Sequence, residues 1–568
     1  MIDLRWYGWG DSAKTYPLDR RPGTWKFLHA ALELSGDEHF PVCDFNSINL
    51  RPPRIAESTI RDALGPDLPE GYKPGESVVR TDTRARVQHA FGKSYRDLVR
   101  LRRGEVLNPP DAVVYPSTEE QVARLIQFCV ERKIALIPFG GGSSVVGGVE
   151  PRGDRITVTL DLSRMNRLLA LDPLSQTAVF QAGILGPDLE RALNSRGFTL
   201  GHLPQSFEFS TLGGWIATRG AGLASTKYGK IEEMTVSVSV ATPRGLVETR
   251  TVPATAAGPS VLHLMLGSEG TLGVITRATM RVRELPKTMD YRALLFKNFA
   301  AGVAATREML QNDVRPATVR LSDEAETRSF FSLREESTGW KGTTERIGLS
   351  AVGLLGYAFE RGALMILGFE GEAAAVSADK SRGLAACRSH GAFDLGHGVA
   401  RVWLRDRYET PYLRDVLMDH GVLVDTLETA TPWENLERLH GRLASAISQA
   451  AESAGSRALV MTHVSHAYRD GASLYVTFLA RMSRDNVMGQ WETIKRAATE
   501  CIMANGGTLS HHHGIGYEHA PWMVDEIGAR GLDALRAVKQ ALDPNDIMNP
   551  GKILQEDETQ QITGHAVV

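Results

Sequence analysis

At 568 residues the chain is longer than one hydrophobic core organises, so two or three domains are expected. Apolar residues at 42% and charged residues at 23% describe a globular protein, which excludes disordered and collagen-like architectures. A net charge of −3 gives no electrostatic basis for binding nucleic acid. Cys43, Cys129, Cys387 and Cys501 form no Cys-x-x-Cys pair, which fits a reducing compartment and no disulfide framework. Asp3, Arg5 and Asp11 interrupt the segment where a secretory signal needs an apolar core, and no run of 18 uncharged apolar residues occurs. A cytoplasmic location without a membrane span is expected.

Residues 1–107 read as an irregular, partly helical lead-in, with RPPR at 51–54 and a charged helical stretch near 80–103. The segment STEEQVARLIQFCVERK predicts a helix, with Ser117 as N-cap and Glu120 closing a capping box; Val122, Leu125, Ile126, Cys129 and Val130 fall at helical spacing. Strands follow at IALIPF, ITVTLDL and TAVFQAG, then a helix over GPDLERALNSRG with Pro187 in its first turn, then a strand in EEMTVSVSVATPRG. SEGTLGVITRATMRVRE closes an α+β domain over 108–290. A second α+β domain is expected over 291–520, with strands ALMILGFEG, RALVMTHVSHAY and ASLYVTFLA, and a helical segment over 521–568. An apolar block at 347–359 reads either as a buried helix or as a lid leaning on lipid.

Three glycine-rich segments could carry chemistry. Pro138, Phe139, Gly140, Gly141, Gly142, Ser143 and Ser144 follow a strand, and glycines without Cβ let backbone amides close around a phosphate; a plain turn is the alternative. The loop has neither the dinucleotide-binding spacing nor a Walker A Lys-Ser/Thr pair. The run QSFEFSTLGGWIATRGAG carries hydroxyls around Gly213 and Gly214, and GSEGTLGVIT is again glycine- and hydroxyl-rich. Further on, His511, His512 and His513 precede Gly514. In an extended stretch the first and third would share one face, a poor geometry for a metal; acid–base work or a solvated loop remain.

Together the three segments resemble the FAD-binding domain of the vanillyl-alcohol oxidase superfamily. The resemblance implies an α+β fold, with a two-subdomain FAD-binding domain and an α+β substrate domain. It places the loop 138–144 at the pyrophosphate. Gln205, Ser206, Ser210 and Thr211, then Gly213, Gly214, Thr218, Arg219, Gly220 and Ala221, would line the cofactor. Glu269, Gly270, Thr271, Leu272, Gly273, Val274 and Ile275 would contact its adenine half and flavin. Covalent members carry a histidine in or beside the first loop; Gly and Ser stand there in this chain, so noncovalent FAD is expected.

The triple histidine, with RWYGWGD, RPATVRLSDE, PYLRD, DTLETATPWE and SHAYRDGASLYVTF in order, resembles the alkyldihydroxyacetonephosphate synthases over nearly the whole chain. The resemblance implies phosphate binding by Arg414, a supporting role for Arg320, and proton transfer by Tyr475 with His511, His512 and His513. Residues 550–554 would pack back at the active site. It further implies acyl-dihydroxyacetone phosphate and a long-chain alcohol as substrates, joined through flavin N5 without net redox, a homodimer and a peripheral membrane contact. By residue type alone, Tyr475 beside Leu474 and Val476 is an ordinary strand aromatic, and Arg414 a surface partner of Asp415. Tyr517, Glu518, His519 and Ala520 depart from the family by lacking the usual Arg or Lys, and the closing AVV is not a peroxisomal tripeptide. The alternatives are an FAD-dependent 2-hydroxyacid or alcohol dehydrogenase and a non-catalytic flavin- or lipid-binding protein.

Overall fold

A computed structural model describes residues 4–18, 21–65, 77–333 and 356–554 of the protein. Residues 347–355 of the apolar block lie outside this range.

The first sheet runs in the order Val79–Arg80, Ala112–Val114, Thr157–Asp161, Ala135–Phe139, with its last three strands parallel. Parallel strands are buried on both sides, and every residue of these three is buried except the half-buried Pro138. The helix Glu119–Arg132 makes the crossover and buries Val122, Leu125, Ile126 and Cys129. Its N-cap is Thr118, which accepts from the Gln121 amide; Ser117 lies one residue outside and donates its own amide to the Gln121 side chain. The expected cap is thus displaced by one residue, because a neighbouring hydroxyl reached the same amide. A second, antiparallel sheet orders Leu168–Asp172, Thr177–Gln181, Val274–Arg281, Thr235–Thr242 and Gly245–Glu248.

The lead-in joins this unit directly. Ile60, Leu64, Val78 and Val79 share one apolar core with both sheets, as do Ile547 and Met548 from the far end of the chain. There the backbone amide of Leu136 donates to Ile547 O and that of Asn549 to Leu136 O, so the C-terminal segment runs beside the strand that feeds the glycine loop.

The largest sheet has seven antiparallel strands, ordered Phe393–Gly396, Thr288–Phe296, Ala363–Gly371, Thr318–Ser322, Ala458–Ala467, Gly471–Arg481, Val422–Pro432. Helices Phe299–Gln311, Ala373–Ser389, Trp433–Ser453 and Val487–Ala504 bury their apolar stripes against one face. Leu474, Val476 and Phe478 point into that core. By the two-residue period of a strand, Tyr475 points to the other face. Among the described residues no helix is long and apolar enough to cross a membrane.

Candidate active site

The three glycine-rich segments meet. A Cβ on Gly141 would collide with the carbonyl oxygen of Phe209, one on Gly140 with the Thr211 hydroxyl, and one on Gly270 would lie 2.9 Å from the Pro138 ring. The amides of Gly141, Gly142, Ser143 and Ser144 donate to no protein acceptor among the described residues, and Gly142 takes φ +61. A run of free amides around a left-handed glycine is a nest for an anion, so the loop fits the diphosphate of FAD. Thr211 caps the helix Leu212–Thr218, and Gly213 lets that helix approach Ala182 closely.

Other expected cofactor residues have protein partners of their own. Ser206 and Ser210 bond to each other, with Ser210 also accepting from the Trp215 indole; Thr218 Oγ1 donates to Gly214 O; Thr271 Oγ1 donates to Ser268 O. Gln205 donates to Arg407 O, and Arg219 forms a half-exposed ion pair with Glu232. Gly220 donates its amide to Trp215 O, Ala221 is buried, and Leu272, Val274 and Ile275 belong to the apolar core. Gly273 lets its strand approach the Ala241 carbonyl. Glu269 is a clamp: its two oxygens accept from the amides of Ile515 and Gly516 at 2.6 and 2.8 Å, and burial pushes its pKa up to about 7. It ties the third glycine segment to the loop that follows the histidines.

On the seven-stranded sheet, register aligns a stripe of polar side chains. Tyr475 pairs with Glu428 on one neighbouring strand and with His463 on the other, and Arg320 sits two residues before Ser322, the partner of His463. Directly opposed residues share a face, so Arg320, His463, Tyr475 and Glu428 line up across four strands. Arg320 donates to His463 Nε2 and to Glu326, both at 2.9 Å, and Glu326 also bonds to His463 Nδ1. The His463 ring stacks on Tyr475 at 4.9 Å between centroids. A register break between Val464 and Ala467 brings His466 into the same space, as bulges do beside functional sites.

The histidine loop closes over this stripe. The amides of His511, His512 and His513 all donate to the Glu428 carboxylate, at 2.6, 3.0 and 2.8 Å, and the Ser510 hydroxyl adds a fourth bond. The segment is therefore a tight bend, and the expected face-to-face alternation is corrected: one acceptor gathering consecutive amides forces the chain to curl. All three rings stand in one cluster, with His512 stacked over Tyr475 at 6.1 Å and His513 edge-on to it at 5.5 Å. The geometric argument against convergence also fails, because candidate ligand atoms of His466, His511 and His512 lie within 4.8 Å of one another. Those rings are bonded to protein groups: His466 to Ser225, and His511 to Tyr468 and His512.

Electrostatics follow from depth. Burial holds His511 down to about 3, with Lys230 adding to the effect, and keeps His512 and His466 well below 6.5; the rings are neutral. Burial opposes the charge of Glu428, yet the surrounding histidines and amide donors outweigh it and hold the carboxyl well below 4.5. Burial raises Tyr475, against a hydrogen bond from Thr426, so its phenol carries a proton.

Arg414 is not the partner of Asp415. Asp415 bonds Arg5 at 2.8 Å and the Trp9 amide, tying the RWYGWGD segment to PYLRD, while Arg414 donates to Lys93 O and leaves its buried Nε without a partner. Residues 550–554 do pack back: Lys552 donates to Glu150 O and the Ile553 amide to Gly516 O. Sequence reasoning missed Glu428, His463 and His466, whose only signal was charge and imidazole inside strand-forming runs. It also missed His202, fully buried against Trp215 with both ring nitrogens unpartnered.

Residues 110–250 match the FAD binding domain family and residues 285–553 the FAD linked oxidases, C-terminal domain. The fold and the amide nest thus define an FAD-binding flavoprotein of the vanillyl-alcohol oxidase type, and a 4-ethylphenol oxidase from Gulosibacter chungangensis shares that fold at 17% identity, with TM-score 0.65 over 90% of this chain and 100% of its own. An alkyldihydroxyacetonephosphate synthase from Dictyostelium discoideum is 36% identical over 97% of this chain and 93% of its own length. A solved alkyldihydroxyacetonephosphate synthase superimposes with TM-score 0.82 at 34% identity, covering 97% of this chain and 98% of that one. The chain belongs to the alkyldihydroxyacetonephosphate synthase family.

Proposed function

We propose that the protein exchanges the fatty acid of an acyl-dihydroxyacetone phosphate for a long-chain alcohol, giving the alkyl ether and a free fatty acid without net oxidation. The observation that carries this reading is the phenol of Tyr475, set between His463 and His512 and opposite Glu428, with neutral histidines around it. FAD, held noncovalently by the glycine loop 138–144 and its neighbours, would supply an electron-accepting centre.

The chain's residues do the rest. Arg414, with its unpartnered Nε, binds the phosphate; a guanidinium is suited to that oxyanion. A neutral imidazole of His512 or His513 takes the proton from C1, and Tyr475 relays it. Glu428 fixes the three histidines in place by their own amides. Arg320 holds His463 against Tyr475 and is a positioning residue. The bonds balance: the ester C1–O bond breaks, the alcohol oxygen bonds to C1, the proton taken from C1 is returned to C1 through the same residues, and the alcohol proton ends on the carboxylate released or in solvent.

The test is anaerobic incubation of the purified yellow protein with palmitoyl-dihydroxyacetone phosphate and hexadecanol, with lipid analysis alongside the flavin spectrum. Alkyl-dihydroxyacetone phosphate with free palmitate, and flavin oxidised at the end, is the expected result. Intact substrate, with flavin bleached by 2-hydroxyacids, overturns the reading.

A further inference from the structure

Lys93 lies in the bend before the helix Tyr95–Arg103, and its backbone connects two parts of the site. Its amide donates to Ser144 O at 2.6 Å, at the end of the glycine loop, and its carbonyl accepts from Arg414 Nη1 at 2.8 Å. The close approach is enforced by Gly92, where a Cβ would strike the Ser144 carbonyl. The ammonium itself has almost nothing to bond: among the described residues its one hydrogen bond is a marginal 3.5 Å contact to Arg5 O.

The neighbouring carboxylates contact other cations: Asp415 Oδ2 is paired with Arg5, its Oδ1 being buried without a hydrogen bond, and Asp97 is paired with Arg100 and the Ser94 amide. Among the described residues neither Lys93 nor Arg414 has a carboxylate within 4.0 Å. Both are partly buried cations without a contacting carboxylate, Asp415 acting on each only from beyond that distance, and such cations favour the arrival of an anion. Burial lowers Lys93 to about 8; the Asp415 charge opposes this and the Arg414 charge adds to it.

We propose that Lys93 is a second cationic ligand of the phosphate that Arg414 holds, so that a phosphate monoester dianion is bound between one ammonium and one guanidinium. This rests on the reading of Arg414 given under Proposed function. A dianion offers charge for both cations, whereas a carboxylate of the 2-hydroxyacid type satisfies one. Lys93 thereby selects phosphorylated substrates over carboxylated ones.

Calorimetry of the flavin-loaded protein with inorganic phosphate tests this without turnover. Lys93→Met is expected to weaken phosphate at least tenfold, and Lys93→Arg to stay within threefold of the parent, with the flavin-to-protein ratio unchanged in both. In the unaltered protein, phosphate is expected to slow reductive methylation of Lys93, read by peptide mass mapping, and to leave Lys26 unaffected. Equal phosphate affinity in Lys93→Met, or unprotected methylation, overturns the proposal. So does a loss of flavin with phosphate affinity intact, which would assign Lys93 to the cofactor's diphosphate. Because phosphate binding is read directly, absence of activity on palmitoyl-dihydroxyacetone phosphate removes the functional reading and leaves this test standing.

Discussion

Glu428 has its charge buried in a strand, and its nearest positive partners are three amide dipoles and a hydroxyl. Hydrogen bonds to a charged acceptor stabilise by about 1.5–3 kcal/mol each, so this one carboxylate sets the shape of the histidine loop. Glu428→Gln replaces an acceptor oxygen by an NH2 that faces N–H donors. We expect turnover to fall by about 10²-fold and stability by about 3 kcal/mol, measured as initial rate and urea midpoint. Rates within threefold of the parent would mean that the loop is held by other contacts. The residue types of the site were legible in the sequence, through resemblance, for Tyr475, Arg414, Arg320 and the histidines. Glu428 was not, because a lone Glu in DTLETATP has no local feature separating it from a solvated strand residue; only the register with Tyr475 reveals it.

At the scale of elements, chain order and strand positions were readable from periodicity: ALMILGFEG is the strand Ala363–Gly371 as expected, and ASLYVTFLA lies within Gly471–Arg481. Pairing was not, since which strands neighbour one another depends on contacts distant in sequence. The same applies to the glycine loop, whose free amides are useful only because Phe209 and Thr211 close on it. Gly141→Ala is therefore a test of an element. The added methyl meets a backbone carbonyl that cannot rotate away, so the loop must move off the segment 209–211. The variant is expected to fold yet purify with less than about a tenth of the parent's flavin, read from the ratio of oxidised-flavin absorbance to protein absorbance. Full flavin content would show that the nest tolerates displacement.

For the whole molecule the decisive property is how many imidazoles the fold keeps neutral. Burial brings His202, His511 and His519 down to about 3, and lowers His463, His466, His512 and His513 as well. The unfolded chain protonates these rings below about 6.5 while the folded chain refuses the proton, so stability is present above that pH and falls as pH drops toward 3. Each suppressed histidine contributes a slope of up to about 1.4 kcal/mol per pH unit. Buried acids act in the opposite sense: burial raises Asp97 to about 6, Glu269 to about 7 and Glu518 to about 8, and folding takes up protons at each above the ordinary carboxylate range. Seven histidines against five such acids, Glu190 and Asp323 being raised as well, leave a net loss of stability on acidification between about 6.5 and 4.5. Urea midpoints taken from pH 7 to pH 5 should decline steadily. His202→Gln, which cannot take up that proton, should flatten the decline by up to one proton whatever it does to absolute stability. An identical slope in that variant would mean that the His202 ring is already accessible to protons in the folded protein.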